Sequence, residues 1–100
     1  MSRINIDDGG WFNSSKATKW EEGTRWNGNN HISLATNSQW EHETLYLTKK
    51  GVWILTGYSQ WQGSTPWCRC IDTNEAAQWL ITNNHDAPEQ LANCVSSLEV

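Results

Sequence analysis

Residues 43–83 read ETLYLTKKGVWILTGYSQWQGSTPWCRCIDTNEAAQWLITN, and this stretch decides the fold. Two runs, Glu43 to Thr48 and Val52 to Thr56, are rich in β-branched, aromatic and aliphatic residues, the composition of β-strands. Between them, Lys49-Lys50-Gly51 suits a type I turn closed by a glycine, which takes positive φ without a Cβ clash. Within each run Leu45, Leu47, Trp53 and Leu55 share one strand parity, and Tyr46, Val52 and Ile54 share the other. Both faces are apolar, so the pair is expected at the centre of a sheet covered on both sides. A loop bearing Trp61 and Trp67 then leads into a return strand.

Asp72-Thr73-Asn74-Glu75 opens a helix with capping-box chemistry: Asp72 accepts from a free backbone N–H, and Glu75 can reach back to the cap. Ala76, Ala77, Trp79, Leu80 and Ile81 supply a wide apolar face, and Thr82-Asn83-Asn84 ends it, because Asn tolerates a left-handed conformation. A second helix is expected from Asp86, with Pro88 in its first turn and Glu89 at a capping position. Leu91, Val95 and Leu98 then recur at helical spacing with Cys94 beside them.

Upstream, Arg3 to Asp7 reads as a short strand closed by the turn cluster Asp7-Asp8-Gly9-Gly10, followed by the apolar pair Trp11-Phe12 over one edge of the sheet. Residues 13–22 offer either a short helix capped by Ser14 or Ser15 or an edge strand from Ala17 to Glu22, and the strand is preferred. Residues 23–30 read as a turn-rich loop carrying Trp26, with Asn27-Gly28 suited to positive φ, and His31 to Thr36 alternates as a strand does. Asn37-Ser38-Gln39 then turns the chain into Trp40-Glu41-His42-Glu43. Strands followed by helices predict a single α+β domain over 1–100: an antiparallel β-meander of about four to five strands packed by one or two C-terminal helices.

Net charge is −4, and the seven basic residues are scattered along the sequence, so a dominant electrostatic grip on duplex nucleic acid is not expected. No apolar run approaches the roughly 20 residues of a membrane span. Three cysteines, an odd number, without a secretory segment at Met1-Ser2-Arg3, suit free thiols in a reducing cytoplasm. No cofactor motif is found. Cys68-Arg69-Cys70 has a shorter spacer than the about two to four residues of paired zinc ligands and lacks a second pair, so no metal site is assigned.

Eight tryptophans in 100 residues are the dominant signal. Trp53 and Trp79 fall on predicted core faces, where large rings replace missing aliphatic bulk. Trp20, Trp26, Trp40, Trp61 and Trp67 lie in or beside polar, turn-like sequence, where a ring is either packed on loop backbone or held out for a contact, and of these Trp26, Trp40, Trp61 and Trp67 are taken as anchors. These four are the candidate partner-binding residues of a small non-enzymatic regulator, antitoxin or inhibitor acting on a protein partner. The alternative is a stacking platform for a small ligand or single-stranded nucleic acid. A third reading, a small hydrolase or transferase, would draw on Glu41, His42 and Glu43. In a strand, however, Glu41 and Glu43 face one way and His42 the other, which suits a solvated face better than a catalytic cluster. An exposed edge strand would also permit a homodimer.

The strings NHISLATNSQWEH, ETLYLTKKGVWIL, SQWQGS and EAAQWLITN share a progression W-E-H-E, L-Y-x-T, G-x-W-x-L, S-Q-W-Q-G-S and A-A-x-W-L. In this the chain resembles a family of small uncharacterised bacterial proteins, from Gly10 to Asn84. The segment Trp67-Cys68-Arg69-Cys70 departs from the polar, tyrosine-containing segment of that pattern. The resemblance implies a compact bacterial domain and carries no implication about catalysis.

Overall fold

A computed structural model describes residues 3–7 and 9–91. Among these the chain forms β1 (Arg3–Asn5), β2 (Trp11–Asn13), β3 (Thr18–Glu21), β4 (Thr24–Trp26), β5 (His31–Ser33), β6 (Glu41–Leu47), β7 (Trp53–Ser59), β8 (Trp67–Ile71) and α1 (Thr73–Thr82). Single 3-10 turns stand at Ser14–Lys16 and Glu89–Leu91. The class is α+β. An antiparallel four-stranded sheet in the order β3-β6-β7-β8 carries one C-terminal α-helix, and two small hairpins, β1-β2 and β4-β5, flank it.

The β6–β7 hairpin forms as its residues dictate. Gly51 N–H donates to Thr48 O and Thr48 N–H to Val52 O, each at 3.0 Å, and Gly51 takes φ 84°. The pleat then sorts the side chains. Leu45, Trp53 and Leu55 face α1 and pack with Ala76, Ala77, Trp79, Leu80 and Leu91. Tyr46 and Ile54 face the other way and pack with Phe12 and Cys68 under the β1–β2 hairpin. The central pair is thus covered on both sides, and full burial of Leu45, Ile54 and Leu80 contributes about 1.5–3 kcal/mol each. Val52 falls outside the strand and is exposed.

The first hairpin is hydrogen-bonded to the sheet border through Asp7. Asp7 N–H donates to Cys68 O at 2.9 Å, and the Asp7 carboxylate accepts from Cys68 N–H at 3.0 Å. Phe12 lies against Tyr46 with ring centroids 5.1 Å apart, while its neighbour Trp11 stays exposed. Residues 13–22 use both expected conformations, but the cap is Asn13 rather than Ser14 or Ser15: Asn13 Oδ1 accepts from Ser15 N–H to cap the 3-10 turn, and β3 follows as an edge strand on β6.

Asp72 caps α1 by accepting from Glu75 N–H at 2.8 Å. Glu75 does not complete the box. Its carboxylate accepts from Arg69 at 2.6 Å, a stronger acceptor–cation pairing than a return to the cap. At the far end Asn84 adopts φ 61°, and the N–H groups of Asn84 and His85 donate to Ile81 O and Leu80 O, a Schellman closure. Ile81 turns outward. Of the second expected helix, the described part is the 3-10 turn ending at buried Leu91; Cys94, Val95 and Leu98 lie outside the described residues.

Two expectations are corrected between β3 and β6. The segment read as a loop contains β4, paired to β5 around the predicted Asn27-Gly28 turn, where Asn27 Oδ1 accepts from the N–H groups of Asn29 and Asn30. The strand expected to run to Thr36 stops at Ser33. The buried Ser33 hydroxyl accepts from the N–H groups of Ala35 and Thr36, and Ser33 O from Asn37 N–H, curling the chain into a turn. Asn83 ties this region to α1, its side chain accepting from Gly23 N–H and donating to Trp79 O. No described helix is long and apolar enough to cross a membrane.

Candidate interaction surface

Where β6 begins and β7 ends, the strand pair leaves two indoles side by side. Gln60 N–H donates to Trp40 O at 2.8 Å, extending the ladder one step past Glu41 and Ser59. Each tryptophan is held at its backbone by a serine. Ser38 Oγ accepts from Trp40 N–H at 3.0 Å, Ser59 Oγ accepts from Trp61 N–H at 3.1 Å, and Ser64 Oγ donates to Trp61 O at 2.8 Å. The rings meet with centroids 5.2 Å apart at 46°, yet Trp40 is 41% and Trp61 58% exposed. Just inside them along the strands, His42 packs on exposed Tyr58 at 5.2 Å. The result is an open aromatic surface on fixed backbone.

The other two candidates stand elsewhere. Trp26, 60% exposed, lies on the β4–β5 hairpin with its ring edge-on to His31 at 5.1 Å. Trp67 is half-buried and lies flat over Gly57, where a Cβ would sit 2.3 Å from the indole. The Arg69 guanidinium covers it at 5.5 Å. Trp67 thus packs as a wall of the core, and the structure joins only Trp40 and Trp61. Trp53 and Trp79 are buried as expected, with Trp20 against Trp53 at 5.4 Å.

Glu41, His42 and Glu43 alternate across the strand, and the residue that organises them is Glu22. Its carboxylate accepts from His42 Nδ1–H and from Glu43 N–H, both at 2.6 Å. The His42 and Glu22 side chains are only 21% and 12% exposed, so this is a partly buried pair rather than a solvated face. On the opposite face Glu43 accepts from Trp79 Nε1–H at 3.0 Å. Burial raises the Glu43 carboxyl above its ordinary value, and the indole bond and the Arg69 charge offset only part of this. Among the described residues no hydroxyl or thiol is hydrogen-bonded to His42, so the dyad has no nucleophile in hand. Glu22 was not a candidate from sequence; the signal was its position at the end of an edge strand whose partner is β6.

Cys68 is buried, its thiol pushed up to about 11 by desolvation and then by the nearby Asp7 charge, whereas Cys70 is exposed. Among the described residues no group of three or more His, Cys, Asp or Glu is arranged to hold a metal ion. Comparison with family models, curated proteins and solved structures finds no match to this chain, so its function is read from this geometry alone.

Proposed function

We propose that the protein is a non-enzymatic binding module that engages a protein partner through the Trp40–Trp61 surface, as a cytoplasmic regulator, antitoxin or inhibitor would. One observation carries this reading: two mutually packed indoles are left open to solvent while serine-anchored backbone fixes their position. A preorganised aromatic pair loses little conformational entropy on binding, and tryptophan is the residue most enriched at interface hot spots. Tyr58 extends the surface, Trp26 offers a second contact on its hairpin, and Trp67 acts by supporting the sheet beneath.

The test is affinity purification of the tagged protein from its native cell, followed by titration of the purified partner. Trp61→Ala and Trp40→Ala should each weaken a saturable complex by about 2 kcal/mol or more, with Trp11→Ala as the exposed control. Full binding in both variants removes the anchors. A Trp fluorescence response to oligonucleotides or sugars, lost in the same variants, would replace the protein partner with a stacked ligand.

A further inference from the structure

At the opposite end of β6 and β7, beside the Lys49-Lys50-Gly51 turn, the structure holds a groove of about 420 Å³. Its floor is apolar: half-buried Ile6 lies beside Phe12, with fully buried Ile54 of β7 behind them. Trp11 and Val52 stand at its mouth, 56% and 40% exposed. Around the rim are Lys16, from the 3-10 turn after β2, and Lys49 and Lys50, from the β6–β7 turn. Three of the chain's seven basic residues therefore converge on one apolar groove in a molecule of net charge −4. Among the described residues no carboxylate lines the groove and none lies within ion-pair distance of these lysines.

We infer that this groove is a binding site for a small amphipathic carboxylate, its aromatic or acyl body on Ile6, Trp11 and Val52 and its anionic head among Lys16, Lys49 and Lys50. The volume lies within the roughly 300–1,000 Å³ of small-molecule pockets, and a few polar groups around an apolar floor is their usual pattern. Lysine stems can lie along apolar walls while the ammonium groups reach a head group at the rim. Charge also selects the size of the anion. A nucleic acid or long polyanion is repelled by the acidic remainder of the surface, whereas a monoanion meets only the local lysines. The site lies at the other end of the strand pair from Trp40 and Trp61, so neither proposal depends on the other.

The experiment uses the full chain, labelled with 15N, titrated with 2-naphthoate and decanoate and, as a neutral control, 2-naphthylmethanol. The Trp11 indole N–H resonance, identified by its loss in Trp11→Phe, reports the site. Both carboxylates should shift it saturably, with naphthoate at least tenfold tighter than the alcohol. The triple variant Lys16→Gln, Lys49→Gln, Lys50→Gln, whose side chains lie at the surface, should keep its spectrum and lose that preference. Equal affinity for acid and alcohol, a preference unchanged in the triple variant, or no saturable shift overturns the inference. So does a Trp11 shift that follows protein concentration, which would assign the groove to a second copy, or one produced only by an acidic peptide.

Discussion

Gly57 is the residue on which the β7–β8 pairing turns. A methyl group there would stand 2.3 Å from the Trp67 ring, an overlap that only displacement of the indole or of β8 can relieve. Gly57→Ala should therefore cost about 1–3 kcal/mol and shift Trp67 emission toward that of a solvated indole, read by urea denaturation and fluorescence. Combining it with Trp67→Leu should recover part of the loss. Glu43 makes a second residue-scale test. Its folded-state pKa lies above the ordinary 4.5, so the fold prefers the protonated carboxyl, and the cost of ionising it in place appears as pH rises from 4.5 through the folded value. Glu43→Gln keeps an acceptor for Trp79 Nε1–H without the charge. It should match the parent below pH 4.5 and exceed it in stability near neutrality; a parent that gains stability over that interval through this residue would reverse the assignment. Neither feature could be seen in the chain alone. A glycine in a strand only signals that something approaches closely, and what approaches, ten residues on, depends on the register between β7 and β8.

At the scale of elements, local chemistry decided most outcomes. The β6–β7 turn and α1 formed as read, because Gly51, Asp72 and Asn84 act on backbone groups within a few residues of themselves. Asp72→Ala should remove the cap and cost about 1 kcal/mol, seen as a lower midpoint in thermal unfolding followed by helical circular dichroism. Asn84→Gly, which keeps the left-handed conformation available, should cost far less than Asn84→Val. The short hairpin elements were misread for the same local reason: Ser33 carries a hydroxyl that competes for backbone N–H groups, and alternation of apolar residues does not register that competition. The candidate site was legible in part. Sequence marks Trp40 and Trp61 as loop tryptophans, but their meeting requires the ladder to continue one step to Gln60. Trp67 has the same polar surroundings in sequence and is nevertheless drawn inward by the space above Gly57.

For the molecule as a whole, the two-layer covering of the sheet was legible from the parity of seven side chains in the central hairpin, of which exposed Val52 alone departs from it. How the first hairpin docks was not, because it depends on Asp7 reaching Cys68, sixty-one residues away. The gathering of scattered lysines at one groove was hidden for the same reason: Lys16 and Lys49 share a groove only once Phe12 of β2 packs with Ile54 of β7. Asp7→Ala removes the carboxylate half of this contact while the backbone bond to Cys68 O remains, and should cost about 1–3 kcal/mol, the penalty of leaving the Cys68 amide unpaired. It should also speed thiol labelling of Cys68, which in the parent lags well behind exposed Cys70 because its thiol is both covered and held protonated.

The two bonds of Asp7 also have a consequence for the protein in concentrated solution. β8 is a sheet border, and both backbone groups of Cys68 on that border are already taken by Asp7. The other border, β3, has Glu21 O engaged by His85 and carries the charged pair Lys19 and Glu21. A neighbouring chain seeking to lengthen the sheet meets Cys68 already engaged on one side and charge on the other, devices natural β-proteins use against fibrous growth. Asp7 is then a guard of the sheet border as well as a docking residue: its two bonds withhold Cys68 from any strand of another molecule.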